Sequence, residues 1–441
     1  MIYFLDPFGC VKNQVDAENM MALLDRSGWA AAENAEEADL IIINSCGFIE
    51  SAKQESINAV LSWRLHYPQK KILLAGCLAQ RYAKELSASL PETDGFFGVT
   101  NLADIVEAAE KIMSPDTSNI LAAQKTLPPG KRPLLSPPGA AYVKISEGCD
   151  NRCSFCAIPL IRGGLKSREI KDVVRECKTL LSRGIKELCL IAQDTGSYGL
   201  DWDPLSPRLP DLLKDLSLLE GSFRVRLLYT HPENFPLPIL DIMEQDKRFI
   251  PYFDIPFQHG SDKVLKDMNR RSNAFFYLSL IKTIRRRLPD ATIRSTFMTG
   301  FPGETEEDFA LLLDFQKKAS LDWMGCFAYS REEDTPSYHM KGRVAKKIAA
   351  QRKQLVEESQ IPITEKQMNR FVGLTFDVLV EERFEPLAAG EENMYLGRLP
   401  CQAPDVDGSA VIISPRPLEP GSLVPCKVIN RAGFDLKVQP L

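Results

Sequence analysis

The sequence lacks most of the signals of a membrane or secreted protein. No apolar run approaches the roughly 18 residues that a membrane-spanning helix needs. The first residues carry neither a basic segment nor a small-residue cleavage site. Histidine is scarce, with four residues, and none stands at a metal-ligand spacing from another. We therefore predict a cytoplasmic protein without membrane contact.

Positive charge is not in excess either. The 441 residues include 54 Lys and Arg against 59 Asp and Glu, which gives a formal net charge of −5. A protein that coats nucleic acid needs a basic face, so we do not expect nucleic acid to be the primary substrate. A chain that is 44% hydrophobic can bury a sizeable core, and this length predicts two or three domains.

Cysteine is comparatively frequent, with eleven residues. Disulfide frameworks are rare in reducing compartments, so we expect some of these cysteines to be metal ligands or catalytic residues. Cys149, Cys153 and Cys156 form a C-x3-C-x2-C run in one short loop. Three thiolates at this spacing can hold three corners of a cubane iron–sulfur cluster and leave the fourth iron open to a substrate or cofactor. The alternative is a zinc knuckle with a distant fourth ligand.

A second set of cysteines is spread along the N-terminal region. Three apolar runs, each followed by a helical stretch, predict parallel strands at residues 2–5, 40–43 and 72–75. Cys10, Cys46 and Cys77 each follow one of these strands. Because the carboxyl ends of parallel strands share one edge, we expect the three thiols to converge and to hold a second cluster. The alternative is three buried, inert cysteines.

Composition changes along the chain divide it into predicted domains. Five prolines between residues 125 and 139 cannot propagate a helix or a central strand, which indicates a linker. Further strand–helix units then predict an open or partial (β/α) barrel, with strands at 142–145, 187–191, 224–228, 252–255, 292–297 and 324–328. The fold class is therefore α/β. The predicted divisions are domain 1–125, linker 126–139, domain 140–367 and domain 368–441.

The last hundred residues have a different pattern. Residues 342–369 carry apolar side chains at helical spacing and predict a helix that is kinked at Pro362. From residue 371 onward, short alternating runs with many valines, glycines and prolines predict a small five-stranded β-barrel. Residues 370–441 contain seven Lys and Arg against ten Asp and Glu. This acidic balance suits a basic protein partner better than a phosphate backbone, and the alternative is an ordinary solvated surface.

Polar residues follow several strands of the second series. Gln193 and Gln258 stand at two strand ends, and His231 and His259 fall beside such ends. Active sites of α/β barrels gather at the carboxyl ends of the strands, so these residues are candidates for holding a nucleotide-like cofactor. For each of them the alternative is a turn or a helix cap. Thr305 is a predicted N-cap of the helix that begins at residue 306.

The cysteine loop resembles that of the radical S-adenosylmethionine (SAM) enzymes. The resemblance rests on the C-x3-C-x2-C spacing with Phe155 beside the third cysteine, and it continues through Ile158-Pro159, Arg162-Gly163 and Ser167-Arg168. With the N-terminal three-cysteine region and a C-terminal TRAM-like barrel, the chain resembles the methylthiotransferases of this superfamily. The resemblance covers essentially all 441 residues.

The resemblance implies that the cofactors are two 4Fe–4S clusters and SAM. The implied ligands of the radical-SAM cluster, which would also bind SAM, are Cys149, Cys153 and Cys156. Phe155, Gln193 and Gln258 are further candidates for SAM binding. An electron from this cluster would cleave SAM and give a 5′-deoxyadenosyl radical, which abstracts a hydrogen from an unactivated carbon. The implied ligands of an auxiliary, sulfur-delivering cluster are Cys10, Cys46 and Cys77.

Within this family the chain is similar to the RimO-type branch, which thiomethylates the β-carbon of an aspartate in ribosomal protein S-twelve. Similar stretches are 9–18, 80–82, 190–194, 226–230 and 254–259. One departure is Val11, where that branch usually has proline. The resemblance implies a basic ribosomal protein as substrate, an electron donor such as flavodoxin or ferredoxin, and a monomer. The alternative is the related branch that modifies an adenosine in transfer RNA.

Overall fold

The structure is a computed structural model that describes residues 1–114, 130–206, 208–384 and 393–441. It divides into two units, and each unit is formed by separate segments of the chain. Unit 1 comprises Met1–Leu135, Glu147–Lys166 and Ser330–Tyr338. Unit 2 comprises Ser136–Ser146, Ser167–Tyr329 and His339–Leu441. Two prolines of the predicted linker, Pro128 and Pro129, lie outside the described residues.

Unit 1 contains a five-stranded parallel sheet. Its strands are β1 (Ile2–Pro7), β2 (Ala30–Ala31), β3 (Leu40–Ser45), β4 (Lys71–Gly76) and β5 (Gly95–Phe97). They stand in the order β2-β1-β3-β4-β5, and every pair is parallel. The helices of this part of the chain are α1 (Val11–Arg26), α2 (Glu50–His66), α3 (Cys77–Ser89) and α4 (Ile105–Met113). The three predicted N-terminal strands are confirmed.

Helices cover both faces of this sheet, which explains why its central strand is apolar. β3 is buried along its whole length. Leu40 and Ile42 pack in one core with residues of α1 and α4, whereas Ile41 and Ile43 pack in another with residues of α2 and α3. Successive side chains of a strand point to opposite faces, so a strand covered on both sides needs a continuous apolar run.

Unit 2 contains an open six-stranded sheet. Its strands are β6 (Ala140–Lys144), β9 (Glu187–Ile191), β10 (Arg224–Leu227), β11 (Phe249–Asp254), β12 (Thr292–Thr299) and β13 (Trp323–Ala328). Three short elements follow β6 before residue 170: β7 (Ser146–Glu147), α5 (Ile158–Arg162) and β8 (Lys166–Ser167). The six strands are parallel and stand in chain order, as in a partial (β/α) barrel, so all six predicted strands are confirmed.

The helices of unit 2 alternate with these strands. They are α6 (Ile170–Ser182), α7 (Leu209–Ser217), α8 (Ile239–Gln245), α9 (Asp262–Asp267), α10 (Ala274–Arg287) and α11 (Glu306–Ala319). The predicted cap of α11 is confirmed, because Thr305 Oγ1 accepts a hydrogen bond from the amide of Asp308 at 3.2 Å. The Asp308 carboxylate in turn accepts one from the amide of Thr305 at 3.0 Å, which completes a capping box.

The C-terminal part of unit 2 is a long helix followed by a closed barrel. The helix is α12 (Lys346–Asn369), and Pro362 lies inside it. The barrel has the order β14-β15-β16-β18-β17, which confirms the predicted five strands. These strands are β14 (Thr375–Phe384), β15 (Asn393–Arg398), β16 (Ala410–Ser414), β17 (Leu423–Ala432) and β18 (Asp435–Pro440). Within the described ranges, no helix combines the length and the apolar character that crossing a bilayer requires.

Helix α12 begins four residues later than the sequence pattern predicts. Gly342 has a φ of +76°, which is outside the helical region. Its carbonyl oxygen accepts a hydrogen bond from the amide of Gly303 at 2.7 Å. This contact with the loop after β12 holds Gly342 in a non-helical conformation, and the helix starts only beyond it.

A buried ion network lies at the amino-terminal ends of β9 and β10. Glu187 is fully buried and pairs with Arg224, with Arg226 at 3.1 Å and with Arg398 at 2.7 Å. Arg398 is the last residue of β15, so the network joins the central sheet to the C-terminal barrel. Burial favours the neutral acid, but the three guanidinium groups hold the pKa of Glu187 well below its usual range.

The loop between β15 and β16 makes further contacts with the central sheet. Trp323 Nε1 donates a hydrogen bond to the carbonyl oxygen of Cys401 at 2.7 Å, and the Tyr252 hydroxyl donates one to Asp407 at 2.6 Å. Buried indole and hydroxyl groups need such partners. The C-terminal barrel is therefore attached to the sheet by hydrogen bonds and charge as well as by apolar packing.

We expect Glu187→Gln to destabilise unit 2 strongly, because it leaves three buried guanidinium groups without their shared counter-ion. Removing one partner of a buried ion network typically costs about 3–5 kcal/mol of the free energy of unfolding. Urea denaturation measures the loss. The matched control is Asp314→Asn, which removes an exposed ion pair with Lys318 (2.5 Å) and should change stability little. Equal effects of the two substitutions would contradict the stabilising role of the network.

Candidate functional site

The three N-terminal cysteines follow three neighbouring strands of the unit 1 sheet. Cys10 lies between β1 and α1, Cys46 follows β3, and Cys77 is the first residue of α3, directly after β4. β1, β3 and β4 are adjacent and parallel. Their carboxyl ends therefore share one edge of the sheet, as the sequence predicted.

Glycines beside these cysteines let the strand ends approach closely. A Cβ on Gly9 would lie 3.1 Å from the Cβ of Cys46, and a Cβ on Gly47 would lie 2.7 Å from the carbonyl oxygen of Cys77. The backbone next to the first cysteine thus touches the second, and the backbone next to the second touches the third. The three residues occupy one patch of the sheet edge.

Cys77 has two polar neighbours within unit 1. Its Sγ lies 3.1 Å from Asn13 Oδ1 and accepts a hydrogen bond from Arg162 Nη2 at 3.2 Å. Arg162 also pairs with Asp16 and Glu147, in both cases at 2.9 Å. Burial raises the pKa of the Cys77 thiol to about 12, and the positive charge of Arg162 opposes this rise. A guanidinium group beside the sulfur favours the thiolate, the form in which cysteine binds metal.

The loop with Cys149, Cys153 and Cys156 is folded tightly on itself. The amide of Cys149 donates a hydrogen bond to the carbonyl oxygen of Gly163 at 3.2 Å, and the amide of Cys156 donates one to Cys153 at 3.1 Å. Asn151 Nδ2 lies 3.3 Å from the Cys149 sulfur. All three cysteines are partly exposed, so their sulfurs can be reached by a cluster.

The segment that follows this loop packs against the N-terminal cysteine site. Ala157 and Ile161 form a buried cluster with Cys77. Phe155, a candidate for SAM binding through the family resemblance, is buried as well. The two sets of three cysteines therefore belong to one unit of the structure, and Arg162 of one segment reaches Cys77 of the other.

The chemistry of the two cysteine sets fits iron–sulfur clusters, each set offering three thiols. No three His, Cys, Asp or Glu side chains of the described residues are grouped so that they could hold one metal ion. A cubane cluster differs, because each thiolate binds a separate iron. The donors Arg162 and Asn151 match the hydrogen bonds that cluster sulfurs receive. The other five cysteines are buried in unit 2: Cys177, Cys189, Cys326, Cys401 and Cys426.

In unit 2 the predicted cofactor residues stand at the carboxyl ends of the central strands. Gln193 follows β9 and Gln258 follows β11. Hydrogen bonds connect neighbouring ends: Thr195 Oγ1 and Thr230 Oγ1 are 2.8 Å apart, and the amide of Gln258 donates to the carbonyl oxygen of Thr296 at 2.9 Å. These strand ends form one continuous edge, as predicted. That Gln193 and Gln258 bind a cofactor stays a prediction.

Two residues at this edge have a left-handed backbone although neither is glycine. Tyr229 has a φ of +62° and Gln258 a φ of +69°. Conformations of this kind cost roughly 1–3 kcal/mol and cluster at functional sites. No residue spacing signals them, because tyrosine and glutamine normally avoid positive φ.

A buried histidine connects two of the strand ends. His259 Nδ1 accepts a hydrogen bond from the amide of Ser261 at 2.9 Å, so the proton of the neutral ring is on Nε2, which lies 3.6 Å from Glu304. The Glu304 carboxylate also accepts hydrogen bonds from the amide of Gly300 at 2.7 Å and from Arg352 at 2.6 Å. Glu304 therefore holds the loop after β12 in place.

His231 is a buried neutral residue rather than a proton donor near neutral pH. Its amide donates a hydrogen bond to Asp194 at 2.9 Å, and its Nε2 lies 2.5 Å from Arg270 Nη1. Because a guanidinium group can only donate, Nε2 accepts. Burial, reinforced by the charge of Arg270, lowers the pKa of His231 to about 3.

Comparisons with known proteins match three successive parts of the chain to family models. Residues 3–98 match the model described as Uncharacterized protein family UPF0004, residues 143–315 match the Radical SAM superfamily, and residues 372–440 match the TRAM domain. The ribosomal protein uS12 methylthiotransferase RimO of Treponema denticola is 46% identical to the chain, over 98% of this chain and 99% of that protein. The chain belongs to the RimO family. It is therefore a radical SAM methylthiotransferase.

Other RimO proteins and solved structures are similar as well. RimO of Syntrophomonas wolfei is 39% identical over 97% of both chains. The radical SAM methyltransferase TsrM from Kitasatospora setae, with tryptophan and a SAM analogue bound, superimposes with a TM-score of 0.56 at 15% identity, over 76% of this chain and 74% of that chain. At this identity the likeness to TsrM concerns the fold alone, which is the predicted α/β class.

Two residues of α1, both in the stretch 9–18 that resembles the RimO-type branch, belong to this site although no site role was predicted for them. Asn13 contacts Cys77, and Asp16 pairs with Arg162. They are three residues apart, so helical periodicity places them on one face of α1. That spacing is the signal that could have found them. Arg162 lies in the stretch that resembles the family, but its contact with Cys77 depends on the fold.

We expect His231 to make folding stability depend on pH. Below about pH 6.5 the unfolded chain takes up a proton on this ring that the folded protein does not, so stability should fall as the pH decreases from about 6.5 toward 3. The contribution has a limiting slope of about 1.4 kcal/mol per pH unit. Urea denaturation at several pH values should show a shallower fall for His231→Gln than for the unchanged protein. Parallel profiles would mean that the folded protein also protonates this ring.

Proposed function

We propose that the chain transfers a methylthio group to the β-carbon of an aspartate in ribosomal protein uS12. The observation that carries the proposal is the pairing of two three-cysteine sets in one unit, with Arg162 of one segment hydrogen-bonded to Cys77 of the other. Two incompletely ligated clusters provide for two separate tasks, one at each set. The family's curated members support the same reading, since they are named for uS12 methylthiotransfer.

We assign one 4Fe–4S cluster to each set of cysteines. The proposed ligands of the radical-SAM cluster are Cys149, Cys153 and Cys156. The proposed ligands of the auxiliary cluster are Cys10, Cys46 and Cys77. Further candidates for contact with SAM are Phe155, Gln193 and Gln258. When bound, the clusters and SAM supply electron transfer, radical chemistry and a transferable methylthio group, which no protein side chain supplies.

The side chains themselves hold and orient these groups. A carbon-bound hydrogen of aspartate is far too weak an acid for any base available near neutral pH, so acid–base catalysis cannot activate it. The protein therefore contributes positioning and shielding. Arg162 places a positive charge beside the Cys77 sulfur, and Gly47 leaves room for the backbone of Cys77. Glu304 fixes the loop after β12.

The C-terminal barrel supports a basic protein as substrate. Residues 370–441 carry seven Lys and Arg against ten Asp and Glu, and opposite charge steers association. We further propose a cytoplasmic monomer that receives electrons from a carrier such as flavodoxin or ferredoxin. The proposed division is domain 1–125, linker 126–139, domain 140–367 and domain 368–441. One family model falls within each of the three domains, which supports it.

Anaerobic reconstitution followed by an iron count tests the cluster assignment. We expect the triple substitution of Cys149, Cys153 and Cys156 by alanine to keep about half the iron and to lose SAM cleavage, because the auxiliary set remains. Replacing Cys10, Cys46 and Cys77 should also halve the iron but should leave SAM cleavage. The control Cys177→Ala alters a buried core cysteine and should bind iron fully. SAM cleavage by the first variant would contradict the mechanism.

The substrate is tested in cells that lack the gene for this chain. Mass spectrometry should show that uS12 loses its methylthio mass while bulk transfer RNA keeps its modifications. Re-expression of the unchanged chain should restore the mass on uS12, whereas the variant without Cys149, Cys153 and Cys156 should not. Loss of a methylthio group from transfer RNA instead would assign the chain to the RNA-directed activity.

A further inference from the structure

Arg162 is a buried cation with two different sets of partners. Its side chain is 1% exposed. Nη1 pairs with the carboxylates of Asp16 and Glu147 at 2.9 Å each. Nη2 lies 2.6 Å from Asn13 Oδ1 and 3.2 Å from Cys77 Sγ. One side of the guanidinium group is thus neutralised, while the other side faces an amide oxygen and a sulfur.

Asn13 Oδ1 is the common neighbour of the Arg162 guanidinium group and the Cys77 sulfur. Asn13 Nδ2 donates a hydrogen bond to the carbonyl oxygen of Ser45 at 2.8 Å, which turns Oδ1 toward Cys77. A thiol at Cys77 can donate to that oxygen, but a thiolate cannot and would be repelled by it. Arg162 donates to both atoms, so it offsets the repulsion once Cys77 is a thiolate.

We propose that Arg162 is a positioning residue that raises the reduction potential of the auxiliary cluster. Hydrogen bonds and positive charge beside a cluster sulfur stabilise the reduced, more negative state. The inference rests on the proposed ligand role of Cys10, Cys46 and Cys77. It also links the two centres, because Arg162 lies six residues after Cys156. The segment that follows one cluster carries the residue that tunes the other.

The test measures a midpoint potential and not turnover. The full chain with alanine at positions 149, 153 and 156 is reconstituted anaerobically, so that one cluster remains, and is titrated while its electron paramagnetic resonance signal is recorded. Adding Arg162→Met should shift the potential to a lower value. Arg162→Lys keeps the charge but not the forked geometry, so its midpoint potential should fall between that of the parent and that of Arg162→Met. Arg132→Met, which breaks another buried ion pair of unit 1, with Glu18 at 2.7 Å, should not shift it.

The same substitutions in the chain with all six cysteines show whether the effect is local. Arg162→Met should lower one of the two potentials and leave the other unchanged. If Arg162→Met fails to hold a cluster, Arg162→Lys decides: a potential below the parent's supports the proposal, and an equal one overturns it.

Iron content separates this inference from the function on which it rests. If the parent with three alanines holds no iron, the assignment of the auxiliary cluster fails. If that parent holds iron, the auxiliary cluster's midpoint potential is compared with and without Arg162, both in the three-alanine chain and in the chain with all six cysteines. Equal potentials in both chains would overturn the role of Arg162. A shift of equal size with Arg132→Met would also overturn it, because the effect would then be a general one of removing buried charge.

Discussion

The N-terminal site depends on the register of two parallel strands. Ser45 of β3 is paired with Gly76 of β4, and the next residue on each strand is a cysteine, so Cys46 and Cys77 leave the sheet side by side. Gly76 has a φ of +96°, and a Cβ there would lie 2.5 Å from the carbonyl oxygen of Ser45. A slip of one residue would turn each side chain to the opposite face and separate the sulfurs.

The central sheet uses its two ends for different purposes. At the carboxyl ends, Tyr229 and Gln258 hold strained backbone conformations, and Glu304 fixes a loop by accepting amide hydrogen bonds. At the amino-terminal ends, Glu187 and its arginine partners bind the C-terminal barrel. The ion pair of Glu187 with Arg398 thus joins the barrel to the end of the sheet that lies away from the strained residues.

Local patterns made much of this architecture predictable. The strands and the Thr305 cap follow from short-range periodicity and spacing, and the structure has them where the sequence predicts. The grouping of Cys10, Cys46 and Cys77 follows from their positions after three predicted strands. Contacts between distant segments were not predictable in this way. Arg162 meets Asn13 across 149 residues of sequence, and Glu187 meets Arg398 across 211. The late start of α12 has the same origin, because the non-helical conformation of Gly342 is held by a hydrogen bond from the distant Gly303.

The discontinuous make-up of unit 1 has a consequence for biosynthesis. Glu332 pairs with Lys53 at 3.1 Å and with Arg81 at 2.8 Å, across 279 and 251 residues of sequence. A nascent chain whose N-terminal region has left the ribosome still lacks this counter-ion until most of the polypeptide has been translated. Domains otherwise fold as they emerge. The region that carries the N-terminal cysteines therefore gains these two ion pairs only late in synthesis.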